Sequence, residues 1–194
     1  MKCKGIGCRS DYPTPDIIDG IAYFVCSSCG DLHEEKDYRV YSKEERVKMF
    51  EDEYGVRLPP EYIQYAGTKG SSVVKLPSCD NESTQFYFGD GFYEVGKFAG
   101  IEPDPYGFSI FDSASLTEEW GLPKELVLIE GDGHTWLALD YRESATDPTV
   151  IVVESDEANH LLVAHNFREF VQSILPYDSV YDTDGNVIYN DSNT

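Results

Sequence analysis

Two unbroken apolar runs, Leu126–Ile129 and Trp136–Leu139, flank Gly131-Asp132-Gly133-His134, and no other stretch restricts the fold as tightly. Short apolar runs bounded by turn residues read as buried strands, and Asp-Gly between such runs is a strong hairpin signal. Glycine supplies the positive φ that a tight reversal needs. A helix is the competing assignment, but two glycines within three residues would break it. The stretch Trp120–Tyr141 therefore predicts a central hairpin around which the neighbouring segments pack.

Upstream, Ser42-Lys43-Glu44-Glu45 has the spacing of a capping box. Val47, Phe50 and Tyr54 follow at helical intervals, and Gly55 stops the run. Leu58-Pro59-Pro60-Glu61 opens a second short helix through Tyr65, with proline in the first turn. Gly67–Ser72 lacks the residue order of a phosphate loop and reads as a helix exit and turn. Val73–Leu76 and Phe86–Phe88 read as strand fragments, with Cys79 as an ordinary thiol in the polar loop between them. Leu116–Trp120 predicts a short helix and Thr149–Val153 a β-branched strand. Glu154–Ala158 reads as an exposed acidic segment. Asn166 caps a last helix with Phe167, Phe170, Val171 and Ile174 on its apolar face. Asp184-Gly185-Asn186 marks a second hairpin within Val180–Tyr189.

Charge narrows the function. Fifteen Lys and Arg stand against 36 Asp and Glu, a net of −21 over 194 residues. Residues 1–40 carry five basic and seven acidic side chains, and the rest carry ten and 29, a net of −19. Such a body repels nucleic acid, whose binding rests on Lys and Arg displacing counterions. It attracts basic partners and speeds their encounter, although acidity also serves plain solubility. No apolar run approaches a membrane span and no secretory core is present, so the expected location is the cytoplasm with no membrane partner.

The sharpest spacing lies in residues 1–40. Cys3 and Cys8 form one pair and Cys26 and Cys29 another, with glycines at Gly5, Gly7 and Gly30 beside the cysteine turns. Two close cysteine pairs of this kind predict a zinc ribbon, with Zn2+ held by four thiolates. Disulfides would require an oxidising compartment, which nothing in the sequence suggests. His33 could replace a sulfur but reads as a surface residue. A closed four-cysteine site leaves no position for Lewis-acid chemistry, so its expected task is to stand in for a core too small to form alone.

From helix, Leu-Pro helix, Leu122-Pro123, Gly131-Asp132-Gly133 turn and strand to the closing Asn166-Phe167 helix, the order of elements resembles the SUKH superfamily. Tyr54-Gly55-Val56-Arg57-Leu58-Pro59 adds to the likeness, which covers about residues 42–175. The superfamily contains yeast cell-wall synthesis regulators and many bacterial immunity proteins. The resemblance implies an α+β fold, a sheet with flanking helices, here preceded by the small zinc ribbon. The cysteine segment and the C-terminal hairpin lie outside that pattern, so the chain is expected to divide into a ribbon at 1–40, a SUKH-like domain at 41–176 and a hairpin and tail at 177–194. It implies a non-catalytic protein that binds and neutralises a cognate toxin, often a nuclease, which must itself be basic to hold its substrate. Glu130, Asp132, His134 and Asp140, at or beside the central turn, are the candidate partner-binding residues; ordinary turn and surface duty is their alternative. No hydrolase, metalloprotease, dinucleotide or kinase motif is present, so catalysis is not expected. The remaining reading is a zinc-ribbon adaptor that contacts other proteins or nucleic acid.

Overall fold

An apolar run with no polar interruption needs cover on both faces, and the central hairpin receives it. In the computed structural model, β6 (Leu126–Gly131) and β7 (Thr135–Asp140) pair antiparallel about a three-residue turn, Asp132–His134. They lie in a four-stranded antiparallel sheet of order β6-β7-β8-β9, with β8 at Thr149–Glu154 and β9 at His160–Ala164. Successive side chains point to opposite faces of a strand. Val127, Ile129, Leu137, Leu139, Val150 and Val152 enter the main core, while Leu126, Leu128, Trp136, Ala138, Ile151 and Val153 enter a second core behind the sheet.

The model describes residues 13–18, 21–26, 32–34, 41–77, 88–102, 108–155 and 160–190. The chain forms two compact units, residues 1–46 and 47–194. The first contains a three-stranded antiparallel sheet, β1 (Pro13–Ile18), β2 (Ile21–Cys26) and β3 (Leu32–Glu34), with β2 in the middle. Cys26 ends β2 and is buried. Among the described residues no helix is long and apolar enough to cross a membrane.

After the β1–β3 sheet the chain forms four α-helices and a smaller sheet among the described residues. Helix α1 (Lys43–Tyr54) begins at the capping box: the Glu45 amide donates to Ser42 Oγ at 3.2 Å and the Ser42 amide to Glu45 Oε2 at 3.0 Å. Helix α2 (Pro60–Tyr65) starts on Pro60, and its Tyr62 is fully buried with the hydroxyl donating to the Ala99 carbonyl at 2.6 Å. Helix α3 (Ser113–Glu119) covers the second core. Helix α4 (Phe167–Ser173) is capped by Asn166, whose Oδ1 accepts from the Glu169 amide at 2.9 Å. Phe167 and Phe170 carry it into the main core against Tyr62 and Phe98. The smaller antiparallel sheet has the order β10-β4-β5, from β4 (Lys69–Lys75), β5 (Phe92–Lys97) and β10 (Ile174–Pro176). The Ala99 amide, just past β5, donates to the Ile129 carbonyl of β6 at 2.7 Å.

The α+β class is as expected, with several local corrections. β4 begins at Lys69, inside the stretch read as a turn, because its ladder with β5 extends to Lys69 opposite Lys97. β5 and β9 carry no separate signal in the sequence reading. Glu154 is buried at the end of β8 rather than exposed. The second hairpin shrinks to a single Tyr181–Val187 bridge with no ladder. The strand fragment at Phe86 and the thiol of Cys79 lie outside the described residues.

Candidate functional site

The β6–β7 ladder contains a bulge. Leu128 lies opposite Ala138 and Glu130 opposite Leu137, so Ile129 is the extra residue. A bulge re-aims the side chains that follow it. Without the bulge, Glu130 would share the face of Leu128 and the second core. With it, Glu130 shares the face of Leu137 and meets Tyr93 of β5, whose hydroxyl donates to Glu130 Oε2 at 2.5 Å. Burial raises the pKa of Glu130, and the nearby charge of Asp132 adds to the shift. Hydrogen bonds from Tyr93 and the Gly96 backbone act in the other direction. A side chain on Gly96 would crowd this carboxylate, since its Cβ would lie 3.1 Å from Glu130 Oε1.

Glu130 opens onto a cavity of about 280 Å3 lined by Phe88, Asp90, Phe92, Tyr93, Glu94, Glu130, Gly131, Asp132, Thr135 and Tyr181. Three consecutive residues of β5 border it, which places it along that strand's edge, since successive side chains face opposite ways. Among the described residues four carboxylates line the cleft and no Lys, Arg or His does. Its aromatic walls suit a flat cation, which is attracted to the face of a ring.

Gly131 and the turn hold the hairpin end in shape. Gly131 has φ +152, and a Cβ there would lie 2.5 Å from the Thr135 carbonyl oxygen and 2.6 Å from the Trp136 ring. Asp132 Oδ1 accepts from the His134 and Thr135 amides at 3.1 and 3.2 Å, an Asx-type turn. Its carboxylate organises the reversal and borders the cleft as well.

The candidate residues named from sequence fall in three places. Glu130 and Asp132 share the cleft. His134 is exposed and rests against the Trp120 ring, 5.8 Å between centroids. Asp140 lies at the far end of β7, about 17 Å of strand from the turn. There it is buried, and Arg142 grips both its oxygens, Nη2 to Oδ2 at 2.6 Å and Nε to Oδ1 at 2.9 Å. Burial raises its pKa, but the Arg142 hydrogen bonds outweigh that and leave it lowered. Sequence reasoning missed Asp90, Tyr93, Glu94 and Tyr181, which reach the cleft through long-range packing and the C-terminal segment.

Of the four proposed zinc ligands, Cys3, Cys8 and Cys29 lie outside the described residues. Cys26 is 1% exposed at the end of the middle strand of its sheet, a position compatible with a buried thiolate ligand.

No curated protein and no solved structure gives a significant match to the chain. A family model described as SMI1 / KNR4 family (SUKH-1) matches residues 42–173, more than half of the chain. The match spans the capping box, the central hairpin and all of the cleft's lining except Tyr181, and the chain therefore belongs to the SMI1/KNR4 (SUKH-1) family.

Proposed function

We propose that the protein is a non-catalytic immunity protein that binds and neutralises a basic cognate toxin, a nuclease being the class whose charge fits best. The observation that carries this reading is the cleft beside the central turn, with carboxylates from Asp90, Glu94, Glu130 and Asp132 and, among the described residues, no cationic side chain in its lining. Family membership supports it, and so does the net −19 of residues 41–194. A nuclease must present positive charge to phosphate, and an acidic binder that occupies that surface blocks the substrate and associates quickly.

The same reading assigns residues 1–40 one structural zinc ion, with Cys3, Cys8, Cys26 and Cys29 as ligands. Their spacing and the burial of Cys26 support it. The ion would join segments that have too few residues for a core of their own. The site's expected place is the cytoplasm, where thiolates stay reduced.

Capture on the tagged full chain at low and at high salt, followed by co-expression with the captured protein, tests the function. The expected partner is basic, is released by salt, and arrests growth unless this chain is present. A captured protein whose toxicity this chain does not relieve would refute the immunity reading, and so would retention of no basic protein at low salt.

A further inference from the structure

The family match ends at Ser173, but residues 174–190 are built into the domain rather than trailing from it. β10 pairs with β4, Ile174 opposite Val74 and Pro176 opposite Ser72. Val180 is fully buried and Tyr181 nearly so, both packed on Val73 and Phe92. These residues lie on the face of the small sheet opposite Val74, Tyr93 and Val95, which point into the main core. The chain then turns about Asp182 and returns, with the Ile188 amide donating to the Val180 carbonyl at 2.8 Å. Tyr189 meets Phe92 edge-on at 5.4 Å, and Lys75 Nζ sits 5.6 Å from its ring centre.

This strap reaches the cleft at one residue. The Tyr181 hydroxyl donates to Asp90 Oδ2 at 2.5 Å, and its ring forms part of the cleft lining. Asp90 Oδ1 accepts from the Phe92 amide at 3.1 Å, so both its oxygens are oriented. A phenol fixes a carboxylate without cancelling its charge, whereas an arginine would cancel it.

We infer that the C-terminal strap sets the selectivity of the cleft: Tyr181 is a positioning residue that holds Asp90 in the wall, so that an arginine-type side chain of a basic protein partner meets carboxylates from both the strap side and the hairpin side. A guanidinium suits such a pocket because its planar fork bonds carboxylates and its faces stack on aromatic rings. The inference deepens the toxin-binding reading and rests on it only for the identity of the partner.

The test is an amide-shift titration of the full chain with N-acetylarginine amide, with N-acetylglutamine amide as the neutral control. Shifts are expected at Asp90, Glu94, Glu130–Thr135 and Tyr181, with none from the glutamine compound. Tyr181→Phe should weaken binding roughly threefold to tenfold, the net worth of one ordinary hydrogen bond. Asp90→Asn should lose at least as much, and adding Tyr181→Phe to it should cost nothing further. That non-additivity is a readout that general loosening of the strap would not produce. Unchanged affinity in Tyr181→Phe overturns the inference. Additive losses, or shifts scattered over the acidic surface, overturn it as well. If the titration behaves as expected while no captured toxin is neutralised, the immunity reading falls and the strap's role stands. If a toxin is neutralised equally well by Tyr181→Phe, the reverse holds.

Discussion

Gly131→Ala should unfold the hairpin end more severely than any other single methyl addition in the turn. A Cβ at this position would lie 2.5 Å from the Thr135 carbonyl oxygen and 2.6 Å from Trp136 Cε3. Non-bonded carbons sit about 3.5–4.0 Å apart, so the indole would have to recede by about 1 Å. Trp136 is 3% exposed and meets Phe108 edge-on at 5.4 Å, which leaves it no room. Overpacking of this kind costs about 1–3 kcal/mol. A non-glycine residue at such a φ adds about 1–3 kcal/mol. Separating the Asp132 amide from the Thr135 carbonyl, now 3.2 Å apart, forfeits about 0.5–1.5 kcal/mol more. The expected loss is therefore about 2.5–7.5 kcal/mol, a large part of the roughly 5–15 kcal/mol that holds a domain together. Gly55→Ala is the control: φ is +68 and nothing lies within 4 Å of its Cβ, so only backbone strain of about 1–2 kcal/mol remains. Urea unfolding followed by tryptophan fluorescence reads both variants, because the only two tryptophans, Trp120 and Trp136, adjoin this hairpin. Equal losses of stability in the two variants would refute the steric argument.

Three further outcomes follow from the charges and the cysteines. Glu130→Gln should remove a pH slope: its folded pKa lies above the ordinary value of 4.5, so its contribution is present at lower pH and lost as pH rises from that value through the folded one. A thermal midpoint measured against pH should fall across that window in the parent and stay flatter in the variant. Asp140→Asn should act in the opposite sense, because a folded pKa below the ordinary 3.8 gives stability that is present above that value and lost as pH falls through the folded one. Its cost at neutral pH is about 1 kcal/mol or less, since Arg142 keeps 33% of its side chain exposed and solvent screens the pair. Metal analysis of the purified chain should find one zinc per molecule, reduced in Cys26→Ser, and a chelator should melt the 1–40 sheet while leaving the tryptophan signal of the body unchanged.

Where a single turn of chain decides the structure, the sequence was legible. The Ser42–Glu45 box, the Pro60 start, the Asn166 cap and the Gly131–His134 reversal all appear where local spacing puts them. The SUKH-like order of elements was likewise readable, because it follows from those local signals in sequence. What escaped depends on partners distant in the chain. Lys69–Ser72 become strand because Lys69 and Ser72 pair with β5 and Ser72 pairs with β10 as well. The bulge at Ile129 is a matter of register, and no residue in Leu126–Glu130 announces it. Tyr181 and Asp90 meet across 91 positions, so neither signals the other. The cleft was half visible for the same reason: Glu130 and Asp132 lie at or beside the turn, whereas Asp90, Tyr93 and Tyr181 arrive by folding.

The partners of the carboxylates differ between the arginine-paired end of the domain and the cleft. Asp140 is gripped by Arg142, Glu51 by Arg57 and Glu61 by Arg168, and each of these anions is neutralised within the fold. Glu51 also receives the Leu58 amide, and the Tyr141 hydroxyl donates to the Arg57 carbonyl, so the arginine-paired group ties α1 to the hairpin. In the cleft the partners change. Glu130 and Asp90 receive tyrosine hydroxyls, and Asp132 receives backbone amides. Neutral donors fix the direction of a carboxylate and leave its charge in place. Keeping desolvated charge costs stability, as the raised pKa of Glu130 reflects. A fold that needed only rigidity there could have used arginine, as it does at the other end of β7. Directed carboxylates with no Lys, Arg or His in the cleft lining among the described residues are instead the arrangement that a cation from another molecule can complete, and so it is the choice of tyrosine over arginine, rather than the total of negative charge, that supports the proposed docking role of the cleft.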